Sequence, residues 1–499
     1  MLALALAAAG PAPRTVAAGP AEFSLTPAAA YATQVPTPAA VLGHELGEEF
    51  STHEQVRRVV EAIALASDRV EVRRYGTTWA GRPLVLALVS SPANLARIEA
   101  IGDGLRALED PRPDPDGAAR AAVIERSPAV CWLSFSVHGN EASGTEASLA
   151  TLYHLAAAED DEVARMLDDV VVVVDPCLNP DGRERYVQWY RSVRGPTPDP
   201  DPQALVHDEP WPRGRSNHYH FDLNRDWAFL TQVERRARLR AWRRLPPQVH
   251  ADLHELGSES SYFFFPAAPP FNQNLPADTL RWGEVFGAAN AAAFDRFGWT
   301  YFTGEAFDLL YPGYGDSWPS LNAAIGMTYE QAGHGRAGLV VRRSDGTLLT
   351  LADRVAHHFT AAVETVRTTA THRRALLERF ARWHDDAVWE GREGPIAAYL
   401  LERTGSGHAV DELVRLLLAQ GIEVHEAAEP FEVAEGHPFD GGPPAARRFA
   451  PGTVVVPLAQ PRKRLAKALL EPRAAVRENQ FYDVSAWSLP LAFGVHHAS

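Results

Sequence analysis

The sequence predicts an α/β fold: a mixed, mainly parallel sheet flanked by helices, followed by a smaller C-terminal α/β unit. Three observations carry this reading. Apolar runs of strand length alternate with segments of helical spacing between residues 129 and 388. Ionisable residues stand just past several of those runs, where an open α/β sheet gathers its functional groups. The alternation then restarts after Glu393. With 46% hydrophobic and 22% charged residues, a 499-residue chain can bury a full core without disulfide staples.

The elements follow in order. Leu2–Ala9 has the length of a signal-peptide apolar region, and Val16-Ala17-Ala18 offers a small-residue cleavage site. Residues 1–18 are therefore expected to direct export to the periplasm or beyond. No Lys or Arg precedes the run, and without a signal the chain is cytoplasmic. Residues 19–40, rich in Ala, Pro and Thr, read as a flexible lead-in. A catalytic domain is expected over residues 41–390. It opens with a helix from His53 to Ala66, whose apolar stripe is Val56, Val59, Val60 and Ile63. Gly81-Arg82-Pro83 then turns the chain into the apolar run Leu84–Val89.

Ala129–Val137 and the five valines Val170–Val174 read as buried central strands. Between them Ser143-Gly144-Thr145-Glu146 has the pattern of a capping box, opening a helix striped by Leu149, Leu152, Tyr153 and Ala156. Pro196–Pro202 is a surface loop. Val249–Leu253 and Ile325–Tyr329 are further strands, and Leu351–Val388 reads as helix almost throughout. Arg235, Arg236, Arg238 and Arg240, like His357 and His358, read as solvated helix faces. An accessory domain is expected over residues 391–499: a strand at Ile396–Leu401, a helix at Val410–Gln420, and strands at Ile422–Val424 and Val454–Leu458. Its fold weakly resembles class I glutamine-amidotransferase-like domains. No cysteine follows Cys177 to serve such an enzyme, so an accessory role is expected. The last strand signals stop soon after Phe493-Gly494-Val495, and this unit is expected to be incomplete.

Charge and composition exclude several classes. With 48 Lys and Arg against 63 Asp and Glu, the net charge is −15, which repels nucleic-acid phosphate. No apolar run reaches the roughly 18 residues of a membrane helix. Cys131 and Cys177 are too few for a disulfide framework or a thiolate zinc site, and both fall in apolar runs.

The chemistry lies past the strand ends. His138-Gly139-Asn140-Glu141 follows the first central strand, and Asn179-Pro180-Asp181-Gly182 follows the valines. Asp222-Leu223-Asn224-Arg225 precedes Trp227, His250-Ala251-Asp252-Leu253-His254 spans the next strand, and Thr328-Tyr329-Glu330 follows Ile325. A His-x-x-Glu segment can bring an imidazole and a carboxylate to one metal ion, and a further strand-end histidine completes a set that leaves one position for water. His250, Asp252 and His254 share one strand face, so either histidine is a candidate.

In this order the motifs resemble the zinc carboxypeptidase family of the carboxypeptidase A type, over roughly residues 45–375. The Gly81-Arg82-Pro83 turn is similar to that family's first hairpin. The resemblance implies one zinc ion held by His138, Glu141 and His254, preferred over His250 as the residue at the strand end. It implies Asp222 orienting a ligand imidazole, and Glu330 as general base. Asn224 and Arg225 would hold the terminal carboxylate of a peptide, Tyr311 would close over the substrate, and Arg215 would face the oxyanion, with Arg213 as competitor. Asn140 departs from the family, which has a basic residue there. Asp316, just before Trp318, would favour a basic terminal residue. The expected partners are peptide or protein C-termini. The alternatives are a zinc deacylase of N-acyl amino acids, of the aspartoacylase sort, and a metal-free peptide-binding relative.

Overall fold

The computed structural model describes residues 23–403, 407–439, 441–476, 487–495 and 497–499. The expected signal peptide lies outside them. Eight strands form one sheet: β1 Val70–Thr77, β2 Pro83–Val89, β3 Ala129–Phe135, β4 Val170–Asp175, β5 Val249–Gly257, β6 Tyr262–Phe263, β7 Tyr301–Phe302 and β8 Ile325–Gly333. Their order is β1-β2-β4-β3-β5-β8-β6-β7. The middle of the sheet, β4-β3-β5-β8, is parallel throughout, while β1, β2 and β6 join antiparallel to their inner neighbours. This is the mixed, mainly parallel sheet that the strand–helix alternation predicts.

The valine run shows why the sheet is buried on both faces. Val170, Val172 and Val174 point into one core, with Val56, Val60 and Ile63 of the helix His53–Ala66 and Leu149 and Leu152 of the helix Ser143–Ala157. Val171 and Val173 point into the other, with Trp227, Trp242 and Trp318. A strand alternates its side chains between faces, so a strand covered twice must be apolar at every position.

The second core continues into the C-terminal region: Phe380 and Trp383 of the helix Arg373–Glu393 share it with Tyr399, Leu413 and Leu469. That region builds a four-stranded sheet from Ala398–Leu401, His425–Glu426, Val454–Pro457 and His497–Ala498, in which every pairing is antiparallel. Gln420 ties it to the larger sheet: its amide donates to the carbonyls of Trp227 and Ala228 and accepts from the Trp318 indole at 3.0 Å. Among the described residues no helix is long and apolar enough to cross a membrane.

Three local expectations are corrected. The helix Ser143–Ala157 has no capping box; Ala142 precedes it without a side-chain cap. Glu146 instead accepts from the Ser51 amide and hydroxyl, both at 2.8 Å, and pairs with Arg183. Every residue of this helix is buried, and partners from other elements displace the local cap. Arg235 and Arg238 are not solvated. Both are fully buried, stacked over Trp227 at 4.4 and 4.8 Å, because their helix is covered on a second side. Arg236 and Arg240 do face solvent. His358 is also fully buried, with Tyr262 Oη 2.9 Å from its Nδ1, and burial pushes its imidazole down to about 3.

The Arg183–Glu146 pair joins the helix Pro180–Val193 to the helix that follows His138, with neither side chain exposed. Replacing one partner of such a pair strands the other charge in the core. Arg183→Met is expected to lower unfolding stability by about 3–5 kcal/mol, read from urea denaturation. An unchanged midpoint would remove the pair from the stabilising framework.

Candidate metal centre and active site

Two loop segments and two strands converge at the carboxyl end of the parallel strands. The segment after β3 carries His138 and Glu141. Gly139 lies between them because no side chain fits: a Cβ there would come within 2.0 Å of the Arg183 amide nitrogen. The register of β5 on β8 sets His254 beside Glu330. Asp222 begins a single 3-10 turn, Leu223–Arg225, and accepts the Asn224 amide at 2.8 Å.

His138 Nδ1 lies 2.7 Å from Glu141 Oε1, and His254 Nδ1 lies 2.9 Å from Glu141 Oε2. One ligand atom from each of the three residues falls within 4.8 Å of the other two, and all three residues are buried. The outward nitrogens are held by carboxylates: His138 Nε2 is 3.0 Å from Asp222 Oδ1, and His254 Nε2 is 3.3 Å from Asp252 Oδ2. Metal-binding imidazoles are held in this manner, the far nitrogen fixing ring orientation and tautomer. A donor set of two imidazoles and one carboxylate fits zinc.

Charge sets the protonation of this cluster. Burial works against ionisation of Glu141, yet His138 and His254 together hold its carboxyl well below the usual carboxylate range. Asp222 is held low by His138, Arg215 and Arg225 against the same burial. Burial opposes charge on His254 too, but Asp252 and Glu141 raise it well above the ordinary imidazole value. Glu330 differs. Burial pushes its carboxyl up to about 8; Glu141 adds to the rise, while His254 and Arg215 oppose it. A divalent cation inverts such a local field.

His138, Glu141, His254 and Glu330 all line one cavity of about 320 Å³. Arg215, Asn224 and Arg225 line it with them. Arg215 is anchored on Asp222, Nε donating to Oδ2 at 3.1 Å, and its Nη1 reaches within 3.5 Å of Glu141. Asn224 Oδ1 accepts the Gly315 amide, and its Nδ2 is 3.4 Å from His254 Nε2. The Arg225 guanidinium lies over the Tyr314 ring at 4.7 Å. Asp316 also lines the cavity, accepting from the Thr328 hydroxyl at 2.8 Å, and burial pushes its carboxyl up to about 6.

Other residues are placed elsewhere. His250 does not join the cluster. Its Nε2 is 2.7 Å from Ser134 Oγ, and burial together with the Arg238 charge pushes it down to about 3. Tyr311 is buried behind the cavity wall: its hydroxyl donates to the Arg225 carbonyl at 2.7 Å, and Tyr314 of the same loop takes the wall position. Arg213 and Asn140 line a small adjoining pocket that shares His334 with the main cavity, and Asn140 donates there to Glu209. Sequence reasoning missed His334, which lines the main cavity with Nε2 3.9 Å from Glu141 Oε1. Its signal was there: a histidine bracketed by Gly333 and Gly335, just past a strand end.

Residues 56–241 match the zinc carboxypeptidase family model. Among solved structures the chain is similar to a putative carboxypeptidase A from Shewanella denitrificans OS-217, at 17% identity and a TM-score of 0.43, covering 65% of this chain and 70% of that one. It is similar to thrombin activatable fibrinolysis inhibitor, at 16% identity and a TM-score of 0.46, covering 68% and 81%. It is also similar to carboxypeptidase A from Helicoverpa armigera, at 15% identity and a TM-score of 0.42, covering 69% and 79%. No curated protein matches the chain.

The two histidines of β5 separate cleanly by experiment. Metal analysis of the purified chain is expected to return one zinc per molecule, retained in His250→Gln and lost in His254→Ala. Zinc retained by His254→Ala, or lost by His250→Gln, would exchange the two assignments.

Proposed function

We propose that this chain hydrolyses the C-terminal peptide bond of peptides, with His138, Glu141 and His254 holding one zinc ion and Glu330 acting as general base. The observation that carries this is the convergence of that donor set and an uncommitted buried carboxylate on one cavity that two arginines also line. When bound, zinc supplies a Lewis acid and brings the pKa of water down to about 7. Glu330 takes a proton from the attacking water and returns it to the leaving amine. Its burial among groups of both signs favours that exchange, since a base shuttles a proton best when neither form is strongly preferred. Asp222 and Asp252 orient the imidazoles. Arg215, held by Asp222, faces the developing oxyanion. Arg225, braced by the Tyr314 ring and by the Tyr311 hydroxyl on its carbonyl, receives the terminal carboxylate with Asn224. Tyr311 thereby acts through Arg225.

Glu330→Gln tests the base directly. The variant is expected to keep its zinc and lose about 10²–10⁴ in kcat on blocked dipeptides; unchanged turnover would remove the assignment. Faster turnover of N-acyl amino acids than of blocked dipeptides by the unaltered enzyme would instead favour a deacylase.

Specificity follows from Asp316. A buried acid in the cavity wall favours a cationic terminal side chain, and a bare hydrocarbon leaves that acid unmatched. A panel of peptides is expected to show preference for C-terminal Lys or Arg, and Asp316→Asn to reduce that preference by about tenfold or more, equivalent to ~1.4 kcal/mol. A flat panel would sink the assignment.

A further inference from the structure

The loop 309–315 holds both residues assigned above to the terminal carboxylate of the substrate. The Tyr311 hydroxyl donates to the Arg225 carbonyl at 2.7 Å, and the Gly315 amide donates to Asn224 Oδ1 at 2.8 Å. The Tyr314 ring, which the Arg225 guanidinium covers, meets the Tyr311 ring edge-on with centroids 5.0 Å apart. Residues 310–315 belong to no helix or strand. The loop therefore takes its position from what packs on it.

Among the described residues, the C-terminal unit reaches this loop by two routes. The Trp487 indole packs on the Tyr311 ring, with centroids 5.8 Å apart. The other route is a line of hydrogen bonds. Glu471, which ends the helix Lys463–Leu470, accepts from the Asn274 side-chain amide at 2.9 Å. That amide also donates to Asn272 Oδ1 at 3.1 Å, and Asn272 Nδ2 donates to the Leu310 carbonyl at 3.0 Å. The Asn272 backbone amide donates to the Leu309 carbonyl at 2.7 Å. Glu471, Asn274 and Asn272 are all buried. One route thus ends on the Tyr311 ring and the other on the carbonyl just before it.

We propose that Glu471 and Trp487 are positioning residues: the C-terminal unit clasps the loop 309–315 and so fixes Arg225 and Asn224 for the terminal carboxylate. This rests on the peptidase reading above and gives the C-terminal unit a part in it. A guanidinium fork meets a carboxylate with two hydrogen bonds only when its plane is correctly set. Groups that place a substrate must be held to within about 0.5 Å by the residues behind them. Here those residues come from the far end of the chain.

Four variants of the full chain test the clasp: Trp487→Ala and Glu471→Ala, each beside a conservative counterpart, Trp487→Phe and Glu471→Gln. In either alanine variant KM for a blocked dipeptide is expected to rise about tenfold with kcat within about twofold, because a carboxylate anchor binds substrate and transition state alike. Trp487→Phe keeps a ring and Glu471→Gln keeps an acceptor, so both are expected to restore KM. Hydrogen exchange read by mass spectrometry needs no activity. In both alanine variants the amides of residues 309–315 are expected to exchange faster, while those of β3 and β5 keep their protection. An unchanged KM, a fall in kcat in place of a rise in KM, unaltered exchange in the loop, or faster exchange spread over the whole chain would each overturn the proposal. Absence of dipeptide turnover by the unaltered chain would sink the peptidase reading by itself, and the exchange comparison would still decide the clasp.

Discussion

Asp222, His138, Glu141, His254 and Asp252 form a continuous row of ionisable groups beneath the cavity, and the site depends on their mutual compensation. Removing such charges from water costs several kcal/mol per ion. The row meets this cost by alternating carboxylates with imidazoles, so each carboxylate has a ring nitrogen beside it. Its ends are held as well. Arg215 contacts Asp222 at one end, and the field of the buried Arg238 acts on Asp252 at the other. Glu330 stands beside the row without an ion-pair partner of its own among the described residues, which is why burial dominates it and not Glu141.

The row forms because of the sheet's topology. A parallel strand buried on both faces is apolar along its length, so polarity returns only where the strand ends. His138, Asp175, His254 and Glu330 all occur at that transition, and the parallel order β4-β3-β5-β8 brings the four ends side by side. For this reason the fold class and the candidate ligands His138 and Glu141 were legible in local sequence. His250 against His254 was harder, since both occupy one face of β5. The four-residue difference moves the side chain from the interior, at Ser134, to the end, at Glu141.

What local pattern could not supply was cover from distant segments. Arg235 and Arg238 belong to a helix that reads as charged, yet Trp227, Trp132 and the C-terminal region enclose that side. His358 lies in a helix touched by the chain around Tyr262, nearly a hundred positions earlier. Glu146 has the spacing of a cap, but its partners, Ser51 and Arg183, come from two other parts of the chain. In each case a charged or polar side chain acquired a tertiary partner, and periodicity carries no information about such partners. Tyr311 belongs here too: its motif suggested the cavity wall, and the fold of its loop gave that place to Tyr314.

Arg238 joins the apolar core on one face of the sheet to the acidic groups at its edge. Along β3, Trp132 and Ser134 point to the same side. Arg238 lies over the Trp132 ring at 5.4 Å, donates to the Ser134 hydroxyl, and stands 3.3 Å from Asp175. Trp132 belongs to the apolar core on this face, whereas Asp175 ends β4 at the edge where His138, His254 and Glu330 gather. One buried guanidinium therefore offsets Asp175 and Asp252, two carboxylates gathered at the strand ends, from behind.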